Sequence, residues 1–222
     1  MDLMQRRRVM LAAGKRSRLP REYQEVEYLK SSGTQYIDTE LVLTQDTSIN
    51  IRFFIDSGTT FSIFGSRKSP VLQNIGLAGT ESFPLYADFG DYTKYRASHI
   101  GHYTSGDVYD VSINRILRKI YNVTKGEQNA INTNACSEQF TTPGSAFIFN
   151  QRNGFSSIGL NGGVIACVIN DTTGSRNLIP CYRKSDHKPG MYDLCGSICS
   201  RTNSPFYVNA GTGEFLVGPE VN

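Results

Sequence analysis

Three groups of residues have types and spacing that could do chemistry. Glu22, Glu25 and Glu27 bring three carboxylates close together in the chain. Retaining glycoside hydrolysis needs two such groups roughly 5 to 5.5 Å apart, one as nucleophile and one as acid/base. Here the acids sit among apolar residues at the front of the body and are expected to face solvent, so they make no hydrolytic pair. Cys195 and Cys199 form a C-x3-C pair. A zinc site needs a second pair of similar closeness. His99, His102 and His187 do not supply one, since His99 and His102 amount to half a site. Asp88, Asp91 and Asp107 carry the oxygens calcium prefers but lack the spacing of a calcium loop. Asp88-Phe-Gly90 copies the metal-binding triplet of kinases, without the glycine-rich loop and H-R-D segment that give it meaning. No phosphate-binding or dinucleotide fingerprint occurs. The chain is therefore expected to be no enzyme and to use no cofactor or metal.

A binding role is the alternative, and tyrosines carry it. Tyr86, Tyr92, Tyr95, Tyr103 and Tyr109 fall in a Gly-, Asp- and Ser-rich stretch between Gly79 and Asp110. Tyrosine on a loop offers a large amphipathic contact at low entropic cost. Tyr92, Tyr95 and Tyr103 form the candidate ligand-binding loop; packing of these rings onto the body is the simpler expectation. Trp, the best stacking ring, is absent.

Charge is segregated. Seven of the 23 basic residues but one of the 20 acidic residues fall within positions 1–21, which leaves that stretch at +6 and the remainder at −3. Residues 1–18 read as a docking arm for an acidic surface, with Arg6, Arg7, Arg8, Lys15, Arg16 and Arg18 as its charges. Leu3, Met4, Met10 and Leu11 are its apolar anchors. A helix over residues 3–13, ended by Gly14, is expected; it is too short to stand alone and needs a partner. A solvated tail is the competing reading. The Arg triplet is a weak signal for nucleic acid, which is not the expected partner. Val9 to Ala13 is only a five-residue apolar run, below the roughly 7 to 15 of a signal peptide. The Arg-rich, acid-poor segment also fits a transit peptide. With five cysteines, an odd number, and no secretion signal, reduced thiols made in a cytoplasm are expected. No apolar run reaches the roughly 18 to 20 residues needed to span a bilayer, so no membrane partner is expected.

The elements behind these groups read as short strands. Residues 47–56 alternate, with Ile49, Ile51, Phe53 and Ile55 on one face and only Phe54 breaking the pattern. Further strands are expected at 25–29, 61–65, 71–77, 108–113, 116–123, 146–149, 164–169, 178–183 and 207–209. The apolar run at 164–169 suggests cover on both faces. Asn114-Arg115 suggests a hairpin turn, and Asn153-Gly154 and Asn161-Gly162-Gly163 give stronger turn signals. One helical turn is expected near 125–130. Many short strands with turns between them predict two packed antiparallel sheets over residues 19–222.

Several segments carry a family resemblance. Leu19-Pro-Arg-Glu-Tyr-Gln-Glu-Val-Glu-Tyr-Leu-Lys-Ser-Ser-Gly-Thr-Gln-Tyr-Ile-Asp-Thr39 opens the body. Phe147-Ile-Phe149, Asn177-Leu-Ile-Pro-Cys-Tyr-Arg-Lys-Ser-Asp186, Gly190-Met-Tyr-Asp-Leu194 and Phe206-Tyr-Val-Asn-Ala-Gly-Thr-Gly-Glu-Phe215 follow in order. Over roughly residues 19 to 218 the chain resembles the laminin-G/concanavalin-A-like jelly-roll domains of structural proteins from tailed bacteriophages and prophages. It departs from them in Cys195-Gly-Ser-Ile-Cys-Ser-Arg-Thr-Asn-Ser204, where the family passes quickly from Tyr-Asp-Leu to Phe-Tyr; the geometry there is open. The resemblance implies an all-β, antiparallel jelly-roll sandwich. It also implies a non-enzymatic virion protein, made in the bacterial host cytoplasm and docked on capsid or tail proteins through its arm. A head decoration or head fibre is the favoured role, present in several copies. The alternative is a tail adhesin that recognises host surface glycans. Hydrolases of the wider superfamily carry E-x-D-x-x-E on one strand, and that pattern is absent.

Overall fold

The computed structural model describes residues 19–58, 60–67, 74–80, 85–98, 103–152 and 159–222. The arm, the 3–13 helix and the Asn153-Gly154 turn lie outside the described residues, as do His99 and His102. The body is an all-β jelly-roll sandwich of two antiparallel sheets.

The larger sheet has eleven strands. Its main path contains β4 (Ser48–Ile55), β9 (Val108–Asn114), β10 (Arg118–Asn122) and β11 (Glu127–Asn132) on one side. On the other side are β13 (Asn161–Asp171), β14 (Gly174–Arg183), β15 (Lys188–Asp193) and β16 (Phe206–Val208). The order is β11-β10-β9-β4-β13-β14-β15-β16. Off this path, β1 (Tyr23–Glu25) pairs with β14, and β2 (Leu29–Ser32) joins β13 to β17 (Leu216–Val217). The six-stranded sheet runs β3-β12-β5-β6-β7-β8. Its strands are β3 (Ile37–Thr44), β12 (Thr141–Ile148), β5 (Phe61–Ser66), β6 (Ile75–Gly79), β7 (Tyr86–Phe89) and β8 (Ala97–Ser98). One helical turn, α1 (Tyr92–Tyr95), lies between β7 and β8.

The alternation in β4 does what a period of two requires. Ile49, Ile51, Phe53 and Ile55 are buried between the sheets, alongside Ile37, Leu43, Phe61, Phe64, Phe89 and Phe149. Each such side chain contributes about 1.5 to 3 kcal/mol by leaving water. Phe54, the residue out of pattern, points to the outer face and meets the edge of Tyr28, with ring centroids 5.0 Å apart.

Several expectations are corrected. The segment Asn161-Gly162-Gly163 is no turn: it begins β13 and pairs with both β2 and β4. A Cβ on Gly163 would lie 2.3 Å from a ring carbon of Phe54, so the glycine is there for close approach rather than for a bend. The helical turn expected at 125–130 is a tight turn followed by β11, paired with β10. Its residues Glu127, Gln128 and Asn129 carry no apolar alternation, which hid the strand. The 25–29 strand divides into β1 and β2, with Val26 bridging to Glu220 between them. The 71–77 strand is seen as β6, with Val71 to Gln73 outside the described residues. The strand expected at 207–209 is shifted by one residue, to Phe206–Val208. In β13, Ala166 and Val168 are half-buried, so cover on the outer face is partial. The 116–123 strand starts two residues later, at Arg118, because the preceding hairpin uses a longer turn. Asn114 makes that turn through its side chain: Oδ1 accepts hydrogen bonds from the backbone N–H of Ile116 and of Leu117, each at 2.8 Å.

Beside that turn, Arg118 is fully buried. Its guanidinium donates to the carbonyls of Asn114, Arg115 and Asn134 and to Oδ1 of Asn132. Carbonyl dipoles hold this cation in place, and it ties the β9–β10 turn to the chain beyond β11.

Candidate binding site

The three loop tyrosines occupy three different settings. Asp91 caps α1, its carboxylate accepting from the Thr93 backbone N–H at 2.9 Å and hydroxyl at 2.7 Å. Tyr95 is buried, and Arg118 lies over its ring at 5.7 Å. Tyr92 is half-buried beneath Arg96, 4.7 Å from the ring centroid, and the same guanidinium lies 4.0 Å from the centroid of Tyr86. Arg96 is in turn held bidentate by the buried Asp88, at 2.6 and 2.8 Å. Tyr103 packs edge-on against Phe61, and its hydroxyl donates to the Gly58 carbonyl at 2.6 Å. Tyr92 and Tyr95 thus share one turn, while Tyr103 locks a separate loop.

The buried carboxylates are engaged in structure. Asp38 accepts from Arg152 at 2.9 Å, Arg201 at 3.1 Å and Ser145 at 2.5 Å. Asp193 accepts the backbone N–H of Asn177 at 2.8 Å and of Cys195 at 2.9 Å, with Arg176 3.9 Å away. Of the three glutamates expected in solvent, only Glu22 is exposed. Glu25 and Glu27 are buried, because the C-terminal segment folds over β1 and β2. There Glu27 donates its N–H to Pro219, and the Glu25 carbonyl accepts from Val221. Among the described residues no group of three or more His, Cys, Asp or Glu side chains is placed to hold a metal ion.

All five cysteines are free; Cys195 is exposed and the other four are buried. Burial pushes the thiols of Cys167 and Cys181 well above their ordinary range. The cysteine-bearing link at 195–204 docks back onto β3 through Glu40. That carboxylate accepts from Ser200 N at 2.7 Å, Ser200 Oγ at 2.6 Å and Cys199 Sγ at 3.4 Å.

A groove on the outer face of the larger sheet was not foreseen. Its volume is about 560 Å³, and Pro20, Glu22, Tyr23, Arg183, Lys184, Ser185, Tyr192 and Pro205 line it. It forms where the chain joins the sandwich. Leu19 is buried against Ile179, Cys181 and Phe206, a small apolar cluster separate from the main core. That contact fixes Pro20 at the groove's edge, and the Tyr23 N–H closes a turn on the Pro20 carbonyl at 3.0 Å. The Tyr23 ring then lies 4.9 Å from Tyr192 at 57° and 5.0 Å from Phe206 at 46°. Burial raises the Tyr192 phenol above its ordinary pKa. At the rim, Asp186 holds Arg183 at 3.0 and 2.5 Å. Lys184 donates its backbone N–H to Glu22 at 2.9 Å, and its side chain is exposed. The signal for this groove was present in the alternation of Ile179, Cys181 and Arg183. It needed the pairing of β1 with β14 to become readable.

Fold and surface together define a jelly-roll β-sandwich in which Asp38, Asp88 and Asp193 are engaged by arginines and backbone donors and whose groove opens beside Leu19 and Pro20. No protein-family model matches the chain, and no curated protein does. Among solved structures it is similar to the mouse laminin alpha1 chain, domains LG4-5, at 13% identity and a TM-score of 0.46. That likeness covers 70% of this chain and 44% of the laminin chain, so the present chain spans less than half of its length.

Proposed function

We propose that this chain is a non-enzymatic structural component of a tailed-bacteriophage particle, docked by residues 1–18 and displaying the sandwich outward as a head decoration or head fibre. The observation that carries this reading is the seat of Leu19. A buried residue directly after the arm gives the +5 segment of residues 1–18 a fixed point of departure from the body. A tether that must bear a displayed domain needs such a root. The buried carboxylates support the non-catalytic part, because Asp38, Asp88 and Asp193 are engaged by arginines and backbone donors rather than left facing a cleft. The resemblance over residues 19 to 218 supplies the particle context. Deletion of residues 1–18 is expected to lower incorporation into purified particles at least roughly tenfold, as read by quantitative mass spectrometry. Incorporation at the full-length level overturns the proposal.

A further inference from the structure

The C-terminal edge of the larger sheet carries a pattern that the arm repeats with the opposite charge. Residues 216–221 pair with residues 25–30: Leu216 and Val217 lie opposite Lys30 and Leu29, and Glu220 bridges to Val26. Among the described residues no strand lies on the other side of β17, so its main-chain groups there can take a further strand. Leu216 is 65% exposed and Val217 45%, so neither face of this short strand is covered. Exposed Glu214 and Glu220 bracket the two apolar side chains.

Charge at this edge has one sign. Residues 22–29 and 202–222, which meet there, hold five glutamates and no lysine or arginine. The cations flanking the first segment are matched: Arg21 lies 3.6 Å from Glu22, and Lys30 lies 2.5 Å from Asp56. A basic segment with an apolar centre therefore fits, and an acidic one is repelled. The arm has that make-up, with Val9 to Ala13 set between Arg6-Arg7-Arg8 and Lys15-Arg16. Glu214 and Glu220 are six positions apart, and Arg8 and Lys15 are seven apart. As extended chain these spans are about 20 and 23 Å. With the apolar run laid on Leu216 and Val217, a cation at each end meets a carboxylate.

We infer that the 214–220 edge is the acceptor for residues 1–18 of a second copy, which add to it as a strand in place of the helix expected over residues 3–13. The inference rests on the reading of the arm as a tether, because an arm laid on its own body would anchor nothing. The probe is a fluorescein-labelled peptide of residues 1–18, titrated with the full chain and followed by polarisation. Saturable binding is expected. The Glu214→Lys/Glu220→Lys pair and, separately, Leu216→Asp are expected to weaken it at least roughly tenfold. These positions are exposed, so the variants leave the core untouched. A peptide with glutamate at its six basic positions is expected not to bind. Carbodiimide cross-linking of mixed unlabelled and 15N-labelled chains is expected to join Lys15 to Glu214 or Glu220 in mixed-isotope pairs, as read by peptide mapping. Same-chain pairs alone, or none, overturn the inference. So does no saturation by millimolar protein, equal binding of the acidic peptide, or indifference to the edge variants. If deletion of residues 1–18 lowers incorporation into particles while the edge ignores the peptide, this inference falls and the particle reading stands.

Discussion

Asp171 shows how much one polar side chain can hold together. It ends β13, in the larger sheet, and its Oδ2 accepts from the Thr44 backbone N–H at 2.9 Å, the Thr44 hydroxyl at 2.9 Å and the Thr47 hydroxyl. Oδ1 accepts from the Thr173 N–H at 2.8 Å and hydroxyl at 2.9 Å. Thr44 belongs to β3, in the other sheet, so this carboxylate staples the two layers at one end. Burial by itself would raise its pKa; the donors from Thr47, Thr173 and Thr44 outweigh that and hold the group down at about 2. An unfolded aspartate titrates near 3.9, so the folded state binds its proton more weakly. The resulting stability is fully present above about pH 4 and is lost as the pH falls through about 2. Allowing for solvent screening at this half-buried position, its size is about 1 kcal/mol. Asp171→Asn is therefore expected to lower the unfolding temperature at pH 7 by roughly 2 to 4 °C. The gap between parent and variant should close between pH 4 and pH 2 in thermal melts followed by circular dichroism. A gap that stays constant over that range would exclude the ionised carboxylate as its source.

At the scale of elements, the link at 195–204 is held by a strained residue. Glu40 sits in β3 with φ of 55°, a left-handed backbone that costs a non-glycine residue about 1 to 3 kcal/mol. The strain persists because Asp38 Oδ1 accepts the Glu40 N–H at 2.9 Å while the side chain takes both Ser200 and Cys199. Burial opposes ionisation of Glu40, but the Ser200 and Cys199 donors and nearby Arg201 keep its pKa below the ordinary value. Glu40→Gly removes the strain and the clamp together. Alkylation by iodoacetamide under native conditions is expected to modify Cys195 alone in the parent and both Cys195 and Cys199 in the variant, as read by peptide mapping. Protection of Cys199 in the variant would show that the link does not depend on Glu40. No sequence pattern announces this clamp, since its partners are about 160 positions apart. The strands that the sequence disclosed, such as β4 and β9, bury one face and so alternate. Those it concealed, such as β11, are polar at an edge. The same limit applied to the groove: Tyr23, Arg183, Tyr192 and Pro205 come from separate segments, and only the antiparallel register of β1, β14, β15 and β16 brings them side by side. The tyrosines at 92, 95 and 103 could be picked out by composition, but which faces they turn outward depends on Arg96, Arg118 and Phe61, which the local sequence does not specify.

For the whole molecule, the boundary between arm and body decides what each part contributes. The sandwich buries its own core, and nearly all of that core comes from residues beyond 25. Leu19 is the exception, since its partners Ile179, Cys181 and Phe206 form a small cluster on the outer face. Removing residues 1–18 takes away charge and none of the described members of that cluster. Removing residues 1–22 takes away Leu19 and Pro20 and frees Tyr23 from its turn. Loss of one buried leucine costs about 2 kcal/mol in transfer energy, and uncovering Phe206 adds to it. For a chain of this size that corresponds to a fall of roughly 4 to 8 °C in unfolding temperature. The shorter deletion is therefore expected to melt within about 1 °C of the full chain and the longer one well below it. If the shorter deletion already shows the full loss, the arm is part of the folded body, and its role as an independent tether falls. If neither deletion moves the transition, the Leu19 cluster does not root the arm, and the groove beside it has no fixed wall.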